Sequence, residues 1–139
     1  MRLILFTVVL VLCATVASEF IYWHMLVPRL PHFLRVPILW WIAVFTPFGV
    51  ASLFIGSFIT SPRFILVHGI VASFVAIGGR IIFLFASGRP PGHDVSWQDM
   101  VNPSQFQLTL ISLVVLAILF SVAISAGYAF RSQFKTRVS

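Results

Sequence analysis

Apolar residues run along this chain in four long, nearly unbroken stretches, at roughly 3–27, 37–60, 64–86 and 105–130. Each stretch could span about 30 Å of hydrocarbon at about 1.5 Å of rise per helical residue. Short segments of alternating polarity, the mark of barrel strands, are missing from them. In lipid the backbone must satisfy its own hydrogen bonds, so such runs predict helices. The expected fold is all-α: a polytopic integral membrane protein, built as an antiparallel bundle of four transmembrane helices. Its termini share one side, and residues 1–139 form a single domain.

The punctuation between the runs agrees. Pro28, Pro31 and Pro37 interrupt the first connection, and Pro37 suits a first helical turn. Ser61-Pro62 supplies a capping hydroxyl followed by proline, so the third helix should start after almost no loop and form a tight antiparallel hairpin with the second. Asn102-Pro103-Ser104-Gln105 repeats the logic, with glutamine three residues after the cap. The one long connection, 88–102, opens on Gly88-Arg89-Pro90-Pro91-Gly92, which cannot be helical. It then offers Trp97, Met100 and Val101 at helical spacing, which fits a short interfacial helix or an irregular polar loop equally well.

Composition narrows the class. The residues are 60% hydrophobic and 9% charged, far below the quarter that a water-exposed surface ordinarily carries. The net charge of +6 does not signal nucleic acid, because the basic residues lie at the termini and loops and form no stripe with aromatics. They set the topology instead. Arg2, Arg63, Arg131, Lys135 and Arg137 fall on the side of the termini, against Arg29, Arg35 and Arg89 with Asp94 and Asp99 opposite. That bias predicts cytoplasmic termini in a plasma or inner membrane. Trp23, Trp40, Trp41 and Trp97 then fall near the outer interface, where indole rings prefer to sit. Leu3 to Ser18 behind Arg2 resembles a signal segment, but the apolar run continues through Val27 and reads as a span. Cys13, the one cysteine, has no intrachain disulfide partner.

Charges within apolar runs are costly and ask for a partner or a role. Two stand out, Glu19 in the first run and Arg80 in the third. Those helices should run in the same direction, which puts the two residues at one depth, and an intramembrane ion pair is expected. Arg80 could instead snorkel to the outer headgroups. Pro47, beside Thr46, should kink the second helix and free the carbonyl of Ala43. With Ser112 of the fourth helix these residues would form a polar layer at the depth of the pair. That layer would either bind an ion, proton or headgroup, or simply brace the bundle.

Other chemistry finds little support. A b-type haem needs two histidines at one depth, whereas His24 lies near the outer end of the first helix and His68 near the inner end of the third. Intrachain bis-histidine haem is therefore excluded, and no cofactor is predicted. His24, His32, His93, Asp94 and Asp99 share the outer side, but no close-spaced ligand pair occurs and no metal site is assigned. Neither a G-x-S-x-G turn nor a phosphate-cradling glycine loop is present, so a catalytic centre is not expected. Ser52 and Gly56, Ala72 and Ala76, and Ala123 and Gly127 are small pairs that let helices approach closely.

Three functions fit. The first is a small integral subunit or accessory protein of a larger membrane complex, with a structural or interaction role, whose partners are the lipid bilayer and other membrane subunits. The second is an oligomeric, proton-coupled or small-substrate transporter centred on Glu19. Thr15 to Glu19 resembles the small residues one turn before the essential acid of small multidrug-resistance transporters, which also have four helices. The chain departs from them in its greater length, its extended third connection and Arg80, which would neutralise the acid. The third is an interfacial lipid- or quinone-binding protein that uses His24, Arg29, Arg35, His93 and Trp97 on its outer face.

Overall fold

The structure is a computed structural model, and it describes residues 2–29, 37–88 and 103–138. Every regular element among them is helical. Helix α1 spans Arg2–Phe20 and continues as a π-helical stretch, Ile21–Leu26, and a 3-10 turn, Val27–Arg29. Helix α2 spans Pro37–Phe58. A 3-10 turn, Pro62–Phe64, leads into α3, Ile65–Ala86, and α4 covers Pro103–Val138. Three helical stretches, Arg2–Leu26, Pro62–Ala86 and Gln107–Gln133, are long and apolar enough to cross a membrane. Ile42–Phe58 in α2 is a shorter apolar helix.

The ends of the first and last runs differ from expectation for local reasons. Pro28 has no N–H, and its ring crowds the carbonyl four residues back, so α1 leaves regular geometry before it through the π turn and the 3-10 turn. Beyond residue 130, Arg131, Lys135 and Arg137 are good helix formers whose charge suits a helix C-terminus. Helix α4 therefore runs on through 36 residues, about 54 Å. Ser61 is the N-cap of the 3-10 turn that precedes α3, yet its hydroxyl makes no capping bond. Its backbone carbonyl instead accepts from the amide of Phe64 at 3.2 Å. Helix α3 ends on Gly88, whose φ of 64° is the left-handed conformation that glycine adopts without strain.

Helices α1 and α4 each pack against both α2 and α3. The four helices thus stand at the corners of a square, with α2 and α3 on a diagonal. Helices α2 and α3 run antiparallel across a short turn at 59–61, as expected of a hairpin, but they do not pack closely on one another. The small faces explain this, because Gly56 and Gly69 are both turned toward α4. Contacts fix the directions. Phe6 meets Phe58 edge-on at 5.2 Å and Ser18 reaches Val44, so α1 and α2 are antiparallel. Thr7 meets His68 and Glu19 meets Arg80, so α1 and α3 run together.

The packing is uneven along the bundle. Near the Phe6–Phe58 end, Val11, Ile55, Ile59, Ala72, Ala76, Phe120 and Ile124 form one buried cluster. There α2 and α4 touch backbone to backbone. A Cβ on Gly56 would overlap the carbonyl oxygen of Ile124, and one on Gly127 would overlap that of Leu53. Arg131 adds a bond from Nη1 to the carbonyl of Ile59 at 3.4 Å, just past the end of α2, where a cation complements the helix dipole. Toward the other end the helices part. No described side chain of α4 before Phe120 is buried, and a Cβ on Gly49, which shares the face of Gly56, would meet nothing within 4 Å.

Polarity is distributed in the opposite sense to a water-soluble domain. Thr7, Thr15, Ser18, Glu19, Ser52, His68 and Ser73 are buried, whereas Leu5, Phe74, Ile82, Phe85, Val114 and Val122 are exposed.

Candidate functional site

The buried polar positions of α1 follow its inner face. Thr7, Val11, Ala14, Thr15, Ser18 and Glu19 recur at three- and four-residue steps, which one face of a helix collects. Most of these hydroxyls are satisfied at short range. Thr15 donates to the carbonyl of Val11 at 2.8 Å, and Ser52 to that of Phe48 at 2.7 Å. Ser18 does something different. It donates across to the carbonyl of Val44 in α2 at 2.9 Å, beside the turn that Pro47 interrupts.

Glu19 carries the one charge among the buried residues, with 5% of its surface exposed. Its Oε1 lies 2.9 Å from Nε of Arg80. Its Oε2 accepts from the indole N–H of Trp23, one turn further along, at 3.1 Å. Both carboxylate oxygens are thus engaged by donors, which is the condition for keeping a charge out of water. Arg80 is different, with 52% of its side chain exposed. It follows Gly69, Ala72, Ser73 and Ala76 along the inner face of α3. The positions before it on that face, and Leu84 one turn beyond it, are buried, so the exposure is local to Arg80.

The remaining members of the expected polar layer stand apart from this pair. Thr46 is exposed and donates to the carbonyl of Ile42 in its own helix at 2.6 Å. Ser112 is also exposed and donates to Leu108 at 2.8 Å. Back-bonding of this kind satisfies a hydroxyl without a neighbouring helix, so depth alone does not bring such residues together. Pro47 is half-buried within α2.

At the opposite end of the bundle, Thr7 and His68 form a second buried polar contact, 2.8 Å between Oγ1 and Nδ1. The Thr7 hydroxyl also lies 3.0 Å from the carbonyl of Leu3, which can only accept. The arrangement that satisfies all three atoms has Thr7 donating to Leu3 and His68 Nδ1–H donating to Thr7. His24 lies on the π turn, exposed and stacked on Phe20 at 4.4 Å. It is seventeen residues along the helix from Thr7 and its partner His68, a rise of about 25 Å, so the two histidines stand at opposite ends.

Arg29 ends the 3-10 turn, exposed. Arg35, His93 and Trp97 lie outside the described residues, as does most of the connection 88–102. Among the described residues no three His, Cys, Asp or Glu side chains converge to hold a metal ion. Two shallow apolar grooves lie on the outside, one lined by Leu12, Cys13, Val16, Ala17, Phe20 and Ile21 along α1. The other lies between Leu3, Phe6 and Phe58.

Sequence reasoning missed several contacts, among them those of Trp23 with Glu19 and Thr7 with His68. Trp23 reads as an interfacial anchor, but its spacing of four from Glu19 was the available sign that it could reach the carboxylate. The pairing of Thr7 with His68 left no such sign, because it depends on how two helices are rotated. No family model matches the chain, and no curated protein or solved structure resembles it.

Proposed function

We propose that this protein is a small, non-catalytic subunit or accessory component of a larger membrane assembly. The supporting observation is that the buried charge and the cross-helix polar contacts are taken up within the chain itself. The glycine contact closes α2 onto α4, Thr7 accepts from His68 while donating to Leu3, and Glu19 is held by two donors. A carboxylate so held is a strut between α1 and α3. A proton carrier would need to exchange with water, whereas Glu19 is buried with both oxygens engaged by donors.

In this reading the chain crosses the bilayer four times. Helix α2 has 22 residues, about 33 Å, which matches the hydrocarbon thickness even though only part of it is strongly apolar. The termini lie on one side, and Arg2, Arg63 and Arg131 put that side in the cytoplasm of a plasma or inner membrane. The exposed apolar residues face lipid and neighbouring subunits.

The test is affinity purification from native membranes in a mild detergent, with the tag on either end. Other membrane polypeptides in constant ratio to this chain would support the proposal. A monodisperse protein that remains alone from both tags would overturn it.

A further inference from the structure

We propose that Arg80 binds the phosphate of a membrane phospholipid, whose chains occupy the opening between α3 and the first half of α4. The inference rests on the chain lying in the membrane, and is independent of whether it is a subunit of a larger assembly.

The argument starts from position. Arg80 continues the inner stripe of α3 formed by Gly69, Ala72, Ser73 and Ala76, where Ala72 and Ser73 are fully buried. Helix α4 covers that stripe at Gly69, which touches Ala117 and Ser121. The two helices run in opposite directions, so Arg80 stands level with the start of α4, where no described side chain is buried. Leu84, one turn beyond Arg80 on the same stripe, is buried again, so the uncovered position is local to a half-exposed arginine on an otherwise buried face.

The chemistry follows from counting donors. A guanidinium has five N–H groups. Glu19 offers two oxygens, and one of them already accepts from Trp23. More N–H groups remain than this carboxylate can take, on a side chain that is 52% exposed. In an apolar surround those donors require an acceptor. Arg80 lies six residues before the end of α3 at Ala86, about 9 Å of rise, so its long stem can reach the interface from within the bundle. Phosphate is the acceptor found at that level, and its oxygens match the planar fork of a guanidinium. Glu19 fixes the fork from the other side through Nε. Glutamate and arginine cancel in charge, so retention would come from directed hydrogen bonds more than from net charge, and a lipid without phosphate should not replace it.

The test uses the full chain, delipidated in mild detergent and examined by native mass spectrometry. The added probes are phosphatidylglycerol, diacylglycerol with the same acyl chains, or inorganic phosphate. The expected result is one tightly retained phosphatidylglycerol, with diacylglycerol held about tenfold more weakly. The doubly neutral variant Glu19→Gln/Arg80→Gln, which leaves no charge unpaired, should lose the same factor while keeping its helical circular dichroism. Should that variant not fold, Arg80→Lys serves instead, because a point-like ammonium cannot hold carboxylate and phosphate as a fork does. Equal retention of the two lipids, or unchanged retention by the variants, would overturn the inference. Displacement of the lipid by inorganic phosphate would also overturn it, by showing a site for the free anion. Purification of the protein without partners would count only against the subunit role.

Discussion

The closest approach in the bundle makes the most exact prediction. At Gly56 a methyl group would strike the carbonyl oxygen of Ile124 and come within 2.9 Å of the Tyr128 amide nitrogen and 3.0 Å of the Gly127 Cα. All three are backbone atoms of one helix, so none can swing aside. Helices α2 and α4 would have to part by about 1 Å, and a gap of that size forfeits a quarter to a half of each surrounding dispersion contact. Ile55, Ile59, Phe120 and Ile124 pack around that point. Overpacking of this kind costs about 1–3 kcal/mol, and the better helix propensity of alanine returns about 0.5–1 kcal/mol. Relative to an uncrowded glycine that gains the same propensity, Gly56→Ala should therefore lose about 1–3 kcal/mol, and Gly127→Ala, facing Leu53 in the same way, a similar amount. Gly49→Ala and Gly78→Ala are the internal controls. Nothing lies within 4 Å of their added methyl groups, so only the propensity gain should appear. The assay is equilibrium unfolding by SDS titration from mixed micelles, followed by circular dichroism. If Gly56→Ala proved as stable as Gly49→Ala, the tight α2–α4 contact would be refuted.

Three further outcomes are expected. Arg80→Gln should destabilise more than Glu19→Gln, by about 3 kcal/mol against 1, because it strands a buried carboxylate whereas the other frees a half-exposed guanidinium; equal losses in the same titration would contradict the assigned burial. Thr7→Val should cost about 1–3 kcal/mol by leaving the Nδ1–H of His68 without its acceptor, and Thr7→Ser should restore most of it; a neutral Thr7→Val would remove that bond from the account. Cys13, exposed midway along the apolar stretch of α1, should resist a membrane-impermeant maleimide in intact vesicles and react after unfolding in SDS; labelling in intact vesicles would place that face in water.

How much was legible in the sequence depended on the range of the forces involved. Four apolar runs, proline and glycine punctuation and a scarcity of charge required helices, since a backbone without water has few other ways to bond itself. Those are properties of a segment, and a segment carries them alone. The small pairs Ser52/Gly56 and Ala123/Gly127 were visible too, though which helices they join was not. The register of Glu19 with Arg80 could be reckoned by counting residues along parallel helices, because helical rise is fixed. The same counting placed Thr46 and Ser112 at that depth, and the structure turns both outward to their own carbonyls. Depth is set by the number of residues. Direction is set by rotation about the helix axis, and that is settled only when all four surfaces pack at once. Tertiary packing alone decided that α2 and α3 stand on a diagonal and that Thr7 meets His68. It also closed the bundle at Gly56 and Gly127 while leaving Arg80 uncovered at the far end.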